Sequence, residues 1–226
     1  MTSNTPFLNH RMVEAARYAL MRRLLPAIRH NIAGSLQPVG MMAAMLERRT
    51  QADVPDLVQL GNSSQALKTL AREAVATSLN LMDWLAPKDN DLVALNGAVE
   101  ESLGMIATEL SFRGFSVINQ TSGMQASLPL GIFRSVFTAS LIALTDRVEN
   151  AADVVVTAES TSSWTQLTIT LVPGGRTGLV GMGVRAPTYR SIDWDDVQAL
   201  ANAEGVSLSH DSNCARLRYC ASLAPG

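Results

Sequence analysis

The sequence predicts an α+β fold: an N-terminal antiparallel helical hairpin, doubled into a four-helix bundle in a dimer, followed by a two-layer α/β sandwich. Three observations carry this. A three-and-four apolar period runs through the first 85 residues, a Pro- and charge-bearing stretch breaks it at "WLAPKDNDLV", and short β-branched runs alternate with helical ones thereafter. With 226 residues and 47% hydrophobic content, the chain is long enough for a substantial core.

The first helix is expected from about Leu8 to Arg49, with Ile28, Ile32, Leu36, Val39, Met42 and Leu46 along one stripe. Pro26 and Pro38 each remove a backbone donor, which predicts kinks or breaks. After the polar turn "RRTQADVPD", a second helix is expected with Asp53 as cap and Pro55 in its first turn. Its heptad reads Leu57, Leu60, Ser64, Leu67, Ala71, Ala74, Ser78, Leu81, Leu85, with the small residues letting the helices approach closely. A lone hairpin leaves apolar surface uncovered, so a homodimer is expected. The domains are therefore residues 1–86 and 92–226, joined by a linker.

In the second domain the pattern predicts a helix over Leu95 to Phe112, strands at "FSVINQ" and "ASLPL", and a helix over Gly131 to Arg147. Strands follow at "DVVVTAE" and "WTQLTITLV", then a Gly-rich loop from Pro173 to Pro187, a helix at "DWDDVQALANAEG" and strands at "VSLSH" and "ARLRYCASL". Helices on one face of such a mixed sheet make two layers.

Composition excludes several functions. Net charge is −2 and no Lys/Arg cluster alternates with aromatics, so no nucleic-acid partner is expected. Neither a signal peptide nor an apolar run of membrane-spanning length is visible, which gives an expectation of no membrane association and a cytoplasmic location. Cys214 and Cys220 lack metal-ligand spacing and are expected as reduced, buried thiols. Three scattered histidines, His10, His30 and His210, supply neither a zinc site nor a Ser/His/Asp set.

His30 is the residue that stands out. Positions 28 and 32 lie about 200° from it around the helix and position 36 about 120°, so it falls off the buried stripe. Its neighbours one turn away, Pro26, Ala27, Ala33, Gly34 and Gln37, leave a low-relief surface suited to a docking protein. Imidazole is partly neutral at cellular pH and nucleophilic through one nitrogen while a hydrogen bond orients the other.

The stretch Arg29–His30–Asn31–Ile32 through Leu36–Gln37–Pro38, in the first helix of a hairpin before a sandwich domain, resembles the histidine box of sensor histidine kinases of two-component signalling. The resemblance spans about residues 10 to 222 and implies that His30 is a phosphoacceptor and that the second domain is similar to a histidine-kinase ATPase domain. That family holds Mg²⁺ with an Asn on a helix matching "FRSVFTASLIALTD", where this chain has Ala139 and Ala143, and alanine offers no oxygen ligand. No Asp or Glu occurs between Glu159 and Asp193, where the family places its adenine-recognising Asp, and the family's acidic residue after the histidine is Asn31 here. Glycines 174, 175, 178, 181 and 183 are similar to a nucleotide lid but also suit an ordinary connection.

The expectation is a degenerate kinase scaffold acting as a histidine phosphotransferase. His30 passes phosphate between response-regulator receiver domains, Arg29, Asn31 and Gln37 support it, Ser35 is a further local donor, the chain needs no cofactor of its own, and Mg²⁺ comes from the partner receiver. The alternatives are an ATP-dependent sensor kinase with a divergent pocket and a non-catalytic kinase-like scaffold that binds a receiver or a kinase.

Overall fold

The computed structural model describes residues 5–84, 91–148, 150–174 and 190–220. The Gly-rich segment 175–189, most of the expected linker and Leu85 of the heptad lie outside the described residues. Two compact units emerge, Leu25–Pro87 and a second made of Met1–Leu24 with Lys88–Gly226. The start of the first helix, expected with the hairpin in residues 1–86, thus groups with the C-terminal unit.

Helix α1 (Thr5–Thr50) is continuous through Pro26 and Pro38, so neither proline breaks it. One missing rung costs less than the turns on either side supply. In the hairpin unit, α1 is followed by α2 (Leu57–Asp83). The cap is Asp56, not Asp53: its backbone is extended and its carboxylate accepts from the amides of Val58 at 2.9 Å and Gln59 at 3.1 Å, which leaves Pro55 ahead of the helix. Substituting Asp56→Ala is expected to lower stability by about 1 kcal/mol, read as an earlier loss of helical circular dichroism in urea.

The heptad phase of α2 shifts by one residue near its start. Ser63 is buried where Ser64 was expected, because Arg49 of α1 donates to the Ser63 hydroxyl, which itself donates to the Gln59 carbonyl at 2.8 Å. Leu57 is exposed, whereas Ala74 and Leu81 are buried. The small residues do not close the gap between the helices. They leave an apolar groove of about 260 Å³ lined by residues that include Leu36, Val39, Ala74, Val75 and Met82.

In the C-terminal unit, β1 (Leu92–Ala94) leads into α3 (Leu95–Phe112), then β2 (Ser116–Asn119) and β3 (Ser127–Pro129). A π-helical stretch, Ile132–Phe137, runs into α4 (Thr138–Thr145), followed by β4 (Ala152–Ser160), β5 (Trp164–Pro173), α5 (Trp194–Ala203), β6 (Val206–His210) and β7 (Cys214–Cys220). The five-stranded sheet has the order β2-β4-β5-β7-β6, with β2 parallel to β4 and the other pairings antiparallel. Strand β1, at the start of the expected second domain, falls where the sequence pattern shows no strand; its three residues pair antiparallel with β3.

Alternation along β5 buries Thr165, Leu167, Ile169 and Leu171 on one face and leaves Gln166, Thr168 and Thr170 half-exposed on the other. On β7 the buried Leu217 alternates with Arg216 and Arg218. Cys214 is buried, but Cys220 at the strand end is exposed, contrary to expectation; both are free thiols. From Ile132 to Thr145 every residue except Arg134 is buried, so this helical run is covered on all sides. Gly131, at its start, lies close to the Glu204 carboxylate: a Cβ there would sit 2.5 Å from Oε2, so a larger residue would oblige that flexible side chain to shift.

The first part of α1 joins this unit along a stripe in which Ala16 and Ala19 are fully buried and Leu20 and Leu24 nearly so. Arg17 pairs with Glu204 at 3.4 Å. Arg23 donates to both carboxylate oxygens of Glu109, one at 2.7 Å, and to Asp146 at 3.1 Å, while Arg113 reaches Asp146 at 2.7 Å. Burial opposes the Glu109 charge, but the hydrogen bonds and charge of Arg23, reinforced by Arg113, outweigh it and hold its carboxyl below the ordinary carboxylate value. Burial likewise opposes the Arg23 charge, and Glu109 with Asp146 outweigh it, raising the guanidinium further. A depressed carboxylate stabilises the fold above its unfolded pKa and loses that contribution as pH falls through the folded one. Stability below about pH 4.5 is thus expected to fall less steeply in Glu109→Gln than in the natural chain, as read from denaturant midpoints across pH.

Candidate functional site

His30 lies on α1 within the hairpin unit. Antiparallel geometry fixes its level: nineteen residues back from Arg49 on α1 and nineteen on from Ser63 on α2 lead to His30 and Met82. Its side chain is exposed and, among the described residues, makes no hydrogen bond or ion pair. Ile28, two residues before it, is buried, and Ile32, two after, is half-buried, which leaves His30 on the opposite side of the helix.

Around the imidazole, Arg29, Ala33, Gly34 and Gln37 are exposed and Asn31 is half-buried. Nothing lies within 4 Å of where a Cβ on Gly34 would sit. Ser35 is half-buried and donates to the Ile32 carbonyl at 2.9 Å, so its hydroxyl is engaged within the helix. Arg29, His30 and Gln37 are each exposed, with Gln37 two turns along on the same side of α1 as His30 and Arg29 about 100° around the helix from it, while the Ser35 hydroxyl is engaged by the helix backbone. The α1 stripe is only partly covered beyond Ile32: Leu36 is 51% exposed and forms one wall of the groove. That groove was not legible in the heptad pattern, because small residues can mark either a close approach or a gap.

The helix that would carry metal ligands in a nucleotide-binding relative does not fit a Mg²⁺–nucleotide complex. Ala139 and Ala143 are both fully buried, Thr138 donates to the Phe133 carbonyl at 2.8 Å, and Thr145 donates to the Leu141 carbonyl at 2.9 Å. The Thr138 and Thr145 hydroxyls thus bond to the helix's own backbone, and residues 138–145 carry no carboxylate or amide side chain for a hard cation. Among the described residues no group of three or more His, Cys, Asp or Glu side chains is arranged to hold a metal ion, and no helix is long and apolar enough to cross a membrane.

No protein-family model and no curated protein matches the sequence. Among solved structures, the chain is similar to a histidine kinase from Burkholderia phymatum, at 15% identity over 96% of this chain and 98% of that one, with a TM-score of 0.43. It is also similar to the Acinetobacter baumannii histidine kinase AdeS, at 14% identity over 85% of this chain and 98% of that one, TM-score 0.42. A third similar structure is a bacterial phosphotransferase, at 11% identity over 88% of this chain and 94% of that one, TM-score 0.35.

Proposed function

We propose that this protein is a histidine phosphotransferase of a two-component phosphorelay, passing phosphate between receiver aspartates through His30. The observation that carries the reading is the accessible, unpartnered imidazole of His30 on a hairpin helix, beside the low relief of Ala33 and Gly34. A neutral imidazole nitrogen attacks the phosphorus of an aspartyl phosphate. The P–N bond forms as the P–O bond to the carboxylate breaks, and the carboxylate leaves with the electron pair. The other ring nitrogen keeps its proton, and the reverse step delivers the phosphoryl group to a second receiver. Arg29 lies one residue away to offset phosphate charge, and Gln37 is an exposed donor two turns along. Asn31 cannot act as a general base, and none is needed, because a neutral imidazole has no proton on its attacking nitrogen. Mg²⁺ and its ligands belong to the receiver.

The working form is a homodimer in which two hairpins pack as a four-helix bundle. Support comes from the apolar groove and from Leu36, Val75, Leu79 and Met82 at its walls, each more than half exposed in a single chain. Incubation of the protein with a phosphorylated receiver domain, beside a reaction with ATP alone, tests the function. Acid-labile label from the receiver and none from ATP is expected; label from ATP would instead make it a kinase, and none from any receiver in a full panel would leave a binding scaffold.

A further inference from the structure

The first turns of α1 are built into the C-terminal unit by contacts that phosphoryl transfer at His30 does not use. Ala16, Ala19, Leu20 and Leu24 supply a narrow buried stripe, while Tyr18 and Met12 remain about half exposed on the outer side. Ion pairs stand along the same segment: Arg17 with Glu204 after α5, and Arg23 with Glu109 of α3 and Asp146 after α4. The segment's membership of this unit ends at Leu24, two residues before Pro26, where a rung of helical hydrogen bonding is lost.

We propose that residues 12–24 form a strap of the C-terminal unit that opens and closes independently of the sheet, with Arg23 as its latch and Pro26 marking its end. Among the contacts that hold the strap, its fully or nearly fully buried side chains are small or few, Ala16, Ala19, Leu20 and Leu24, beside the ion pairs of Arg17 and Arg23, whereas β4 and β5 are each hydrogen-bonded to neighbours on both sides within the sheet. Regions held by fewer apolar contacts open at lower free energy than the core they cover. Part-buried ion pairs in a fork geometry also lose their contribution together when one arginine is removed. Glu109 and Asp146 keep Arg113 as a partner when Arg23 leaves, so its departure leaves neither of these two carboxylates unpaired.

Amide hydrogen exchange on the full chain, read by mass spectrometry, tests this. In the natural protein, amides of residues 12–24 are expected to exchange faster than those of β4 and β5. In Arg23→Ala they accelerate about tenfold further, with β4 and β5 unchanged, and Arg23→Lys, which keeps the charge without the fork, falls between. Should Arg23→Ala fail to fold, Arg17→Ala makes the same comparison at the other ion pair. Equal acceleration of the strap and the sheet, or none in the strap, overturns the proposal.

Discussion

Replacing His30 with glutamine is expected to remove receiver-derived phosphate from the protein, a loss of more than about a hundredfold, while leaving its fold intact. Glutamine approximates the size of imidazole and keeps a hydrogen-bonding end, but its amide nitrogen is not nucleophilic. Because His30 is exposed and makes no bond among the described residues, the substitution is expected to change stability by no more than about 0.5 kcal/mol. Arg29→Ala and Gln37→Ala leave the nucleophile in place and are expected to slow transfer by roughly tenfold or less, in line with one charge-assisted hydrogen bond. Transfer followed in a quench series with each variant, beside a thermal melt, separates loss of the nucleophile from loss of the fold.

Introducing charge into the groove is expected to convert a dimer into a monomer. Val75 and Leu36 are 59% and 51% exposed in a single chain, so Val75→Glu or Leu36→Glu places a carboxylate in water and spares the hairpin. In a two-fold bundle each substitution occurs twice across the seam, and desolvating the introduced carboxylates costs several kcal/mol, on the order of a thousandfold or more in dissociation constant. Sedimentation or light scattering is expected to give twice the 24.2 kDa chain mass for the natural protein and the single chain mass for either variant. A natural protein that sediments as a monomer, or variants that stay dimeric, would place the second copy elsewhere or remove it.

Much of the fold is legible in the sequence because it rests on local periodicity. Helix α3 spans the residues its pattern indicates, and β4 to β7 follow from alternation of β-branched and polar residues. What was missed depends on partners distant in sequence. Strand β1 is too short to show a period and exists through pairing with Ser127–Pro129. The phase of α2 at Ser63 is set by Arg49, and its cap is Asp56, whose extended backbone and carboxylate meet the amides of Val58 and Gln59. The docking of the first part of α1 on the C-terminal unit is not legible in the sequence, because alanines at 16 and 19 barely register as an apolar stripe, and Arg23, Glu109, Arg113 and Asp146 come from three separate segments with no motif between them. At the candidate site, the exposure of His30 follows from helical angle alone, whereas the engagement of Ser35 by the Ile32 carbonyl needed the structure.

The most direct test of the central claim is to map the phosphate. After brief reaction with a phosphorylated receiver, the protein is digested at alkaline pH, where phosphohistidine survives, and its peptides are sequenced by mass spectrometry. Phosphate on His30, returned to a second receiver on its addition, is the predicted result. Phosphate on another residue, or on His30 only when ATP replaces the receiver, would contradict it.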